Sequence, residues 1–302
     1  MSRLIVHTGW HNDPEIFIGT ITFFEEIPNG PDLPVIEMII ENSFERYRVV
    51  MSQPHPDLQL TAIPDSAVQL MLWSGKPEHA VSRTDTIILL DTPDSLLHLP
   101  QSQLYDPNIV AGIEWFIAAC PVPALADLVR RIIGRPSIGI PFTNAPAIDI
   151  DHRGKPGGLA IHSLNVAKRA LSSCAGFSDD ERWSAAVAGL LHGVGRIRVP
   201  QPTNAESLKV ILSTLRLISD DLRWLEGRSP VNARMIQHII TSMYRRSGRL
   251  QTHPLALAVQ TADRLAVAQG TGLATEKELF LEFPPVNLDD KWDDQPDSST
   301  CR

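Results

Sequence analysis

Cysteine is scarce in this chain: Cys120, Cys174 and Cys301 are the only three in 302 residues. Three scattered thiols cannot build a disulfide framework or a zinc knuckle, and they fit a reducing compartment. Long apolar runs are missing too. No stretch approaches the roughly 18 residues that a spanning helix needs, so no membrane partner is expected. The N-terminal MSRLIVHTGWHNDPE has no apolar segment of the kind that marks a secretory leader. The expected location is cytoplasmic. Nor is there an excess of basic charge. Lys and Arg number 27 against 35 Asp and Glu, for a net charge of −8. That balance argues against a protein that coats nucleic acid by charge alone, while leaving room for a local basic groove. The composition is not that of a disordered chain either, because 43% of residues are hydrophobic and 21% charged. Repeats with a period of about 20 to 50 residues are absent.

What is present divides into two parts, as the length suggests at about 150 residues per domain. Residues 1–105 read as β-rich. Glu15–Phe24 (EIFIGTITFF) and Val35–Ile40 (VIEMII) are dense in β-branched and aromatic residues, with a Pro/Asn/Gly turn signal between them. Further strands are expected at Tyr47–Met51, Leu58–Ile63, Ala67–Trp73 and Thr86–Leu90. Five or six short strands suggest a small sheet or an OB-like barrel. Phe17, Phe23, Phe24 and Trp73 can serve as a base-stacking platform or, more plainly, as sheet core.

Residues 106–270 read as helical, so the fold class is α+β. Apolar positions at i, i+3, i+4 spacing mark helices at Asn108–Ala119, Pro123–Ile133, Leu159–Ser173, Ser178–His192, Glu206–Ile218, Val231–Arg245 and His253–Gln269. Ser178-Asp-Asp-Glu181 matches a capping box, and Pro254 suits a first helical turn. The Gly/Pro-rich Gly134–Pro146 reads as a connection. Residues 271–302 form an extension whose acidic tail is expected to be disordered.

Four places in the helical part can carry chemistry. His162 lies on the first turns of a helix that follows the paired glycines Gly157 and Gly158. His192 ends an apolar helix and enters a glycine-containing turn. His238 sits inside MIQHIITSMY, and Asp263 inside an otherwise apolar helix near Leu257, Val259, Ala262 and Leu265. A lone histidine at a core edge is usually a satisfied core residue. A carboxylate among apolar neighbours is costly unless it is paired or bound to a metal. Arg264 does not face it, since i,i+1 residues on a helix diverge. Two imidazoles and a carboxylate in one bundle make an N/N/O set suited to a divalent metal.

The order of these segments, His162, then LLHGVGRI, then ADRL, resembles the HD superfamily of metal-dependent phosphohydrolases over roughly residues 141–269. That superfamily is all-helical and holds metal through an initial His, a His-Asp doublet and a distal Asp. The stretch APAIDIDHRGKPGGLAIHSLNVA is similar to the opening segment of two HD subgroups. One is the exoribonucleases that carry an OB fold before the HD domain; the other is the HD-type relaxases of conjugative elements. SDDLRWLEGRSPVNARMIQHI and ADRLAVAQG lean toward the second. The resemblance implies that His162, His192 and Asp263 are ligands of a divalent metal such as Mn, Fe, Mg or Zn. His152 falls on the second His of an opening pair whose first member is Asp151 here, and Arg196 takes the place of a usual Lys. His152 and Arg196 are thus the catalytic candidates, with Asp151, Lys155 and His238 as substrate-binding candidates. The doublet's Asp is absent: Gly193 stands in its position. Glycine supplies no side-chain oxygen, which makes a two-metal clamp hard to build.

Two functions follow as expectations. The first is a degenerate HD-domain protein, a nucleic-acid- or nucleotide-binding module linked to conjugative transfer or RNA/DNA processing, with weakened or absent hydrolysis, with or without a bound metal. The second is an active phosphohydrolase or nuclease that works with a single metal. Phosphate contacts would come from Lys155, Lys168, Arg169, Arg196, Arg198, Arg245, Arg246 and Arg249, each of which can equally be part of a solvated helix face. No protein partner is legible.

Overall fold

A computed structural model describes residues 15–28, 35–51, 67–72, 81–84, 87–90, 95–147, 155–199, 207–243 and 253–269. Six strands come first: β1 (Glu15–Ile27), β2 (Val35–Glu41), β3 (Arg46–Met51), β4 (Ala67–Leu72), β5 (Val81–Arg83) and β6 (Ile87–Leu89). Eight α-helices follow: α1 (Pro107–Ala118), α2 (Pro123–Ile133), α3 (Pro136–Asn144), α4 (Gly158–Ser173), α5 (Asp179–Leu191), α6 (Ser207–Glu226), α7 (Pro230–Ser242) and α8 (Pro254–Gln269). The chain is therefore mixed α+β, with the strands before the helices.

The sheet runs in the order β5-β3-β2-β1-β4-β6. Neighbours are antiparallel except for the β3–β5 pair, which is parallel. Alternation explains which side packs: Ile36, Met38 and Ile40 of β2 are buried while Val35, Glu37 and Ile39 are half-buried. These residues join Phe17, Ile21, Val49, Val68 and Leu70 in a core separate from that of the helices. Phe17 packs edge-on against Tyr47 inside this core, so the plainer of its two expected roles holds, whereas Phe23 is exposed. The register of β1 against β2 shifts between Ile21 and Phe23, the mark of a bulge in the long β1.

Two cores do not make two separate bodies, for the described sheet and helices belong to one compact unit. Hydrogen bonds stitch the junction. Thr20 Oγ1 donates to His98 O at 2.9 Å, Ser43 N to Leu97 O at 2.8 Å, and Ser102 N to the buried Glu41 carboxylate at 3.0 Å.

Several expected elements differ from those observed. The Gly/Pro-rich segment after Gly134 holds a helix, α3, rather than a plain connection. Pro136 occupies its first turn, where no intrahelical N–H bond is lost. Burial of Ile138 and Phe142 outweighs the poor propensity of Gly139 and Pro141. β1 continues through Ile27, and α6 extends to Glu226, past the expected Ile218. The short β5 was not expected at all. By contrast, the capping box at Ser178 forms in both directions, with Glu181 N donating to Ser178 Oγ and Ser178 N to Glu181 Oε2. The strand expected at 58–63, Trp73 and the acidic extension lie outside the described residues.

Candidate metal centre

Helix α4 begins at a left-handed residue. Gly157 has φ of +81°, which favours glycine, and a Cβ there would also collide with Ile109. The turn sets the direction of α4, whose inward face carries Leu159, His162, Ser163 and Val166. Helix α5 lies close against it. Gly189 makes that approach possible, because a Cβ there would sit only 3.3 to 3.4 Å from Val166 and Ala167. His192 is the C-cap of α5. The turn after it is anchored from α6: Thr214 Oγ1 donates to His192 O at 3.1 Å and accepts from Gly195 N at 2.9 Å. Helix α8 buries Leu255, Val259, Ala262 and Ala266, which places Asp263 at the edge of its packed face. Leu257 and Leu265, expected as its apolar neighbours, are instead exposed on the other side of the helix.

These three elements bring His162, His192 and Asp263 together. One ligand atom from each lies within 4.8 Å of the others. His162 Nε2 is 2.9 Å from Asp263 Oδ1, and His192 Nε2 is 3.5 Å from the same oxygen. Both histidines are buried, and the carboxylate is partly open. Burial alone would raise the Asp263 pKa. The hydrogen bond from His162 and the adjacent His192 ring more than offset it, and the carboxyl is held well below its usual range. For His162, burial is the main cause of a lowered pKa, with His192 and Arg196 adding to it and Asp263 opposing. The ionisation state favoured is carboxylate with a neutral His162, which is the state a metal requires.

His192 supplies the sharpest detail. Its Nδ1 lies 2.6 Å from Gly189 O. A carbonyl only accepts, so Nδ1 carries a proton, and in a neutral ring the lone pair is then on Nε2. That Nε2 is buried and has no hydrogen bond. It faces a carboxylate oxygen, and two acceptors oppose each other unless a cation lies between them. A proton or a metal ion satisfies this demand, and orientation of a ligating imidazole by a backbone carbonyl is usual at metal sites. The donor set thus fits a divalent metal on geometric grounds.

The other expected residues are dispersed. Arg196 follows in the 3-10 turn Val194–Arg198, close enough to influence His162. Lys155 is exposed just before α4. His238 is exposed on α7, with Ser242 Oγ at 3.5 Å and the His253 ring at 5.9 Å as its neighbours, neither of them in the triad. Asp151 and His152 lie outside the described residues, as do Arg245, Arg246 and Arg249. Arg198 is exposed, while Lys168 and Arg169 are half-buried. Sequence reasoning passed over Ser163. Its place four residues after Leu159 on the inward face was the available signal, and its hydroxyl is fully buried with no hydrogen-bond partner.

Comparison with known proteins adds no identity: no family model, no curated protein and no solved structure matches the chain.

Proposed function

We propose that this chain is a divergent HD-type protein whose His162, His192 and Asp263 hold one divalent metal, and that it binds nucleotide or nucleic-acid phosphate with weakened or absent hydrolysis. One observation carries the reading: two buried imidazoles and a carboxylate converge within 4.8 Å, with His192 Nε2 3.5 Å from the Asp263 carboxylate. A metal bound there would supply Lewis acidity toward a phosphoryl oxygen or a bound water. The missing fourth side chain at Gly193 is what weakens the hydrolytic reading. Arg196, which adds positive charge near His162, is the residue best placed to attract a phosphate. The OB-like reading of the sheet belongs to the same proposal. Its supports are the bulged β1 shared between β2 and β4, and the single parallel pair β3–β5. So does the link to conjugative transfer or RNA/DNA processing, which rests on the resemblance alone.

A second reading, an active single-metal phosphohydrolase, is favoured by the convergence of His162, His192 and Asp263 around one point. One experiment separates the two. Metal content is measured on the full chain purified without an affinity tag, together with hydrolysis of a generic phosphodiester and of short single-stranded RNA and DNA. Stoichiometric metal with little hydrolysis supports the binding reading. Hydrolysis that disappears in His192→Ala supports the enzyme. No metal, even after incubation with Mn, Fe or Zn, sinks both.

A further inference from the structure

His192 is held in three ways, and two of them belong to its own helix. Its backbone N–H donates to Ala188 O at 2.9 Å, and its ring Nδ1 lies 2.6 Å from Gly189 O. Both partners are residues of α5 and move with it. The third hold comes from α6. His192 is the C-cap of α5, at the end of a helix where carbonyl groups lack an intrahelical donor. Thr214 Oγ1 supplies that donor at 3.1 Å. The same oxygen accepts from Gly195 N at 2.9 Å, so one hydroxyl ties the carbonyl of His192 to the amide three residues further on.

This is not the usual use of a threonine inside a helix. Such a hydroxyl ordinarily returns to a carbonyl of its own preceding turn, as the buried Thr143 does in α3, where Oγ1 donates to Gly139 O at 2.8 Å. Thr214 is equally buried, yet its hydroxyl is turned to another element, the turn that begins at His192. Packing enforces the same contact. A Cβ on Gly195 would lie 2.2 Å from Val210 O and 2.4 Å from Thr214 N, so this turn rests directly on the α6 backbone. Gly193 differs, since a Cβ there meets only side chains, Leu159 Cδ1 nearest at 3.1 Å.

We infer that Thr214 is a positioning residue for the metal centre: through the carbonyl of His192 and the amide of Gly195 it fixes where His192 Nε2 stands against His162 and Asp263, and thereby sets the affinity for the metal. The inference rests on the metal reading above. Thr214 supplies no ligand atom and acts through distance alone. Ligands of a functional site must be held to within about 0.5 Å. Helix α5 by itself cannot guarantee that, because its last residue lies where a helix frays unless it is capped.

The test uses the full-length protein and titrates it with Co(II), reporting affinity per folded molecule and the visible absorption of the bound ion. Thr214→Val keeps the shape and removes the hydroxyl. Its Co(II) affinity should fall about 10- to 100-fold, the range for groups that orient a ligand, and the absorption bands should shift. Thr214→Ser restores the hydroxyl and should recover affinity to within about threefold of the wild type. Thr143→Val removes a comparably buried hydroxyl from α3 and should lower stability while leaving Co(II) affinity and spectrum unchanged. If Thr214→Val fails to fold by circular dichroism, Gly195→Ala decides, because it pushes the same turn off α6 and should show the same fall in affinity. Wild-type Co(II) affinity and spectrum in the deciding variant overturn the inference and leave the metal reading standing. Thr214→Ser as weak as Thr214→Val, or an equal loss in Thr143→Val, also overturns it, since the effect would then be general loosening of the fold. Failure of the wild type to take up Co(II) at all overturns the metal reading, and the inference with it.

Discussion

At the junction between sheet and helices, His98 lies 2.6 Å from Ser95 O through Nδ1 and 2.7 Å from Gly134 O through Nε2. Inside the helical bundle, His192 reaches Gly189 O through Nδ1 and leaves Nε2 without a hydrogen bond. Both rings are buried. The first has a carbonyl oxygen at each nitrogen; burial favours its neutral form, which donates to one of them, and neither nitrogen is turned to a ligand. Its surroundings are equally well provided: Thr20 Oγ1 bonds His98 O, Ser43 Oγ bonds Leu99 O, and the Glu41 carboxylate accepts from Ser102 N. The second stands near an unpartnered Ser163 hydroxyl and a glycine at which a Cβ would meet only side chains, Leu159 Cδ1 nearest at 3.1 Å. Buried polar groups in folded proteins are nearly always satisfied, and the exceptions call for an explanation. Here the first cluster joins two cores, and the second gathers the donors of the candidate metal site.

The sharpest break of this comparison is His98→Phe. A larger ring without a donor replaces the imidazole, so a hydrogen bond to a buried carbonyl is lost and the site is overpacked; unfolding stability should drop by about 3 kcal/mol. Urea denaturation reads the loss, and metal uptake per folded molecule should stay unchanged. A His98→Phe protein as stable as the wild type would show that the junction is not held by this ring.

Asp263→Asn attacks the other cluster. Asparagine still accepts from His162 yet brings no charge, so divalent metal affinity should fall at least 100-fold, about 2.7 kcal/mol. Calorimetric titration with Zn or Co(II) measures it, and metal-free stability should move by less than about 1 kcal/mol. Equal affinity in the variant would remove Asp263 from the site.

The two glycines of the turn give a matched pair. Gly195→Ala forces a methyl into backbone and should cost about 2 kcal/mol, the usual scale of overpacking. Gly193→Ala meets only side chains and should stay within about 1 kcal/mol. Thermal or urea unfolding of both variants checks the order, and a reversed order would contradict the space assigned to Gly193.

The smallest effect belongs to Ser163→Ala in metal-free protein. It removes a buried hydroxyl that has no partner, so stability should rise slightly or stay within about 0.5 kcal/mol. A loss of 2 kcal/mol or more would mean that the hydroxyl is satisfied after all.

Much of the helical part was legible because its signals are local. The capping box at Ser178, Pro254 at the start of α8 and the apolar spacing of α4 and α5 each depend on residues within a turn or two of one another. The triad was legible as three residues of suitable chemistry in a given order. Helix α3 was not, because Gly139 and Pro141 imitate a loop while the burial that overrides them comes from distant side chains. The surroundings of Asp263 were misjudged for a related reason. Composition made the α8 helix look apolar all round, whereas packing on one side leaves Leu257 and Leu265 exposed on the other. Ser163 carried no mark beyond its position on the inward face.

The amino-acid order by itself determined that strands precede helices, the glycine start of α4 and the glycine that follows His192, since each is written within a short segment. Only the tertiary structure decided that three side chains from α4, the end of α5 and α8 meet within 4.8 Å. It also decided that His98 has a carbonyl oxygen at each ring nitrogen while His192 Nε2 faces the Asp263 carboxylate. The physical reason is range. Periodicity and capping are set by neighbours along the chain, but the partner of a buried nitrogen is set by which helices pack, how closely they approach, and which small residue, such as Gly189, lets them do so.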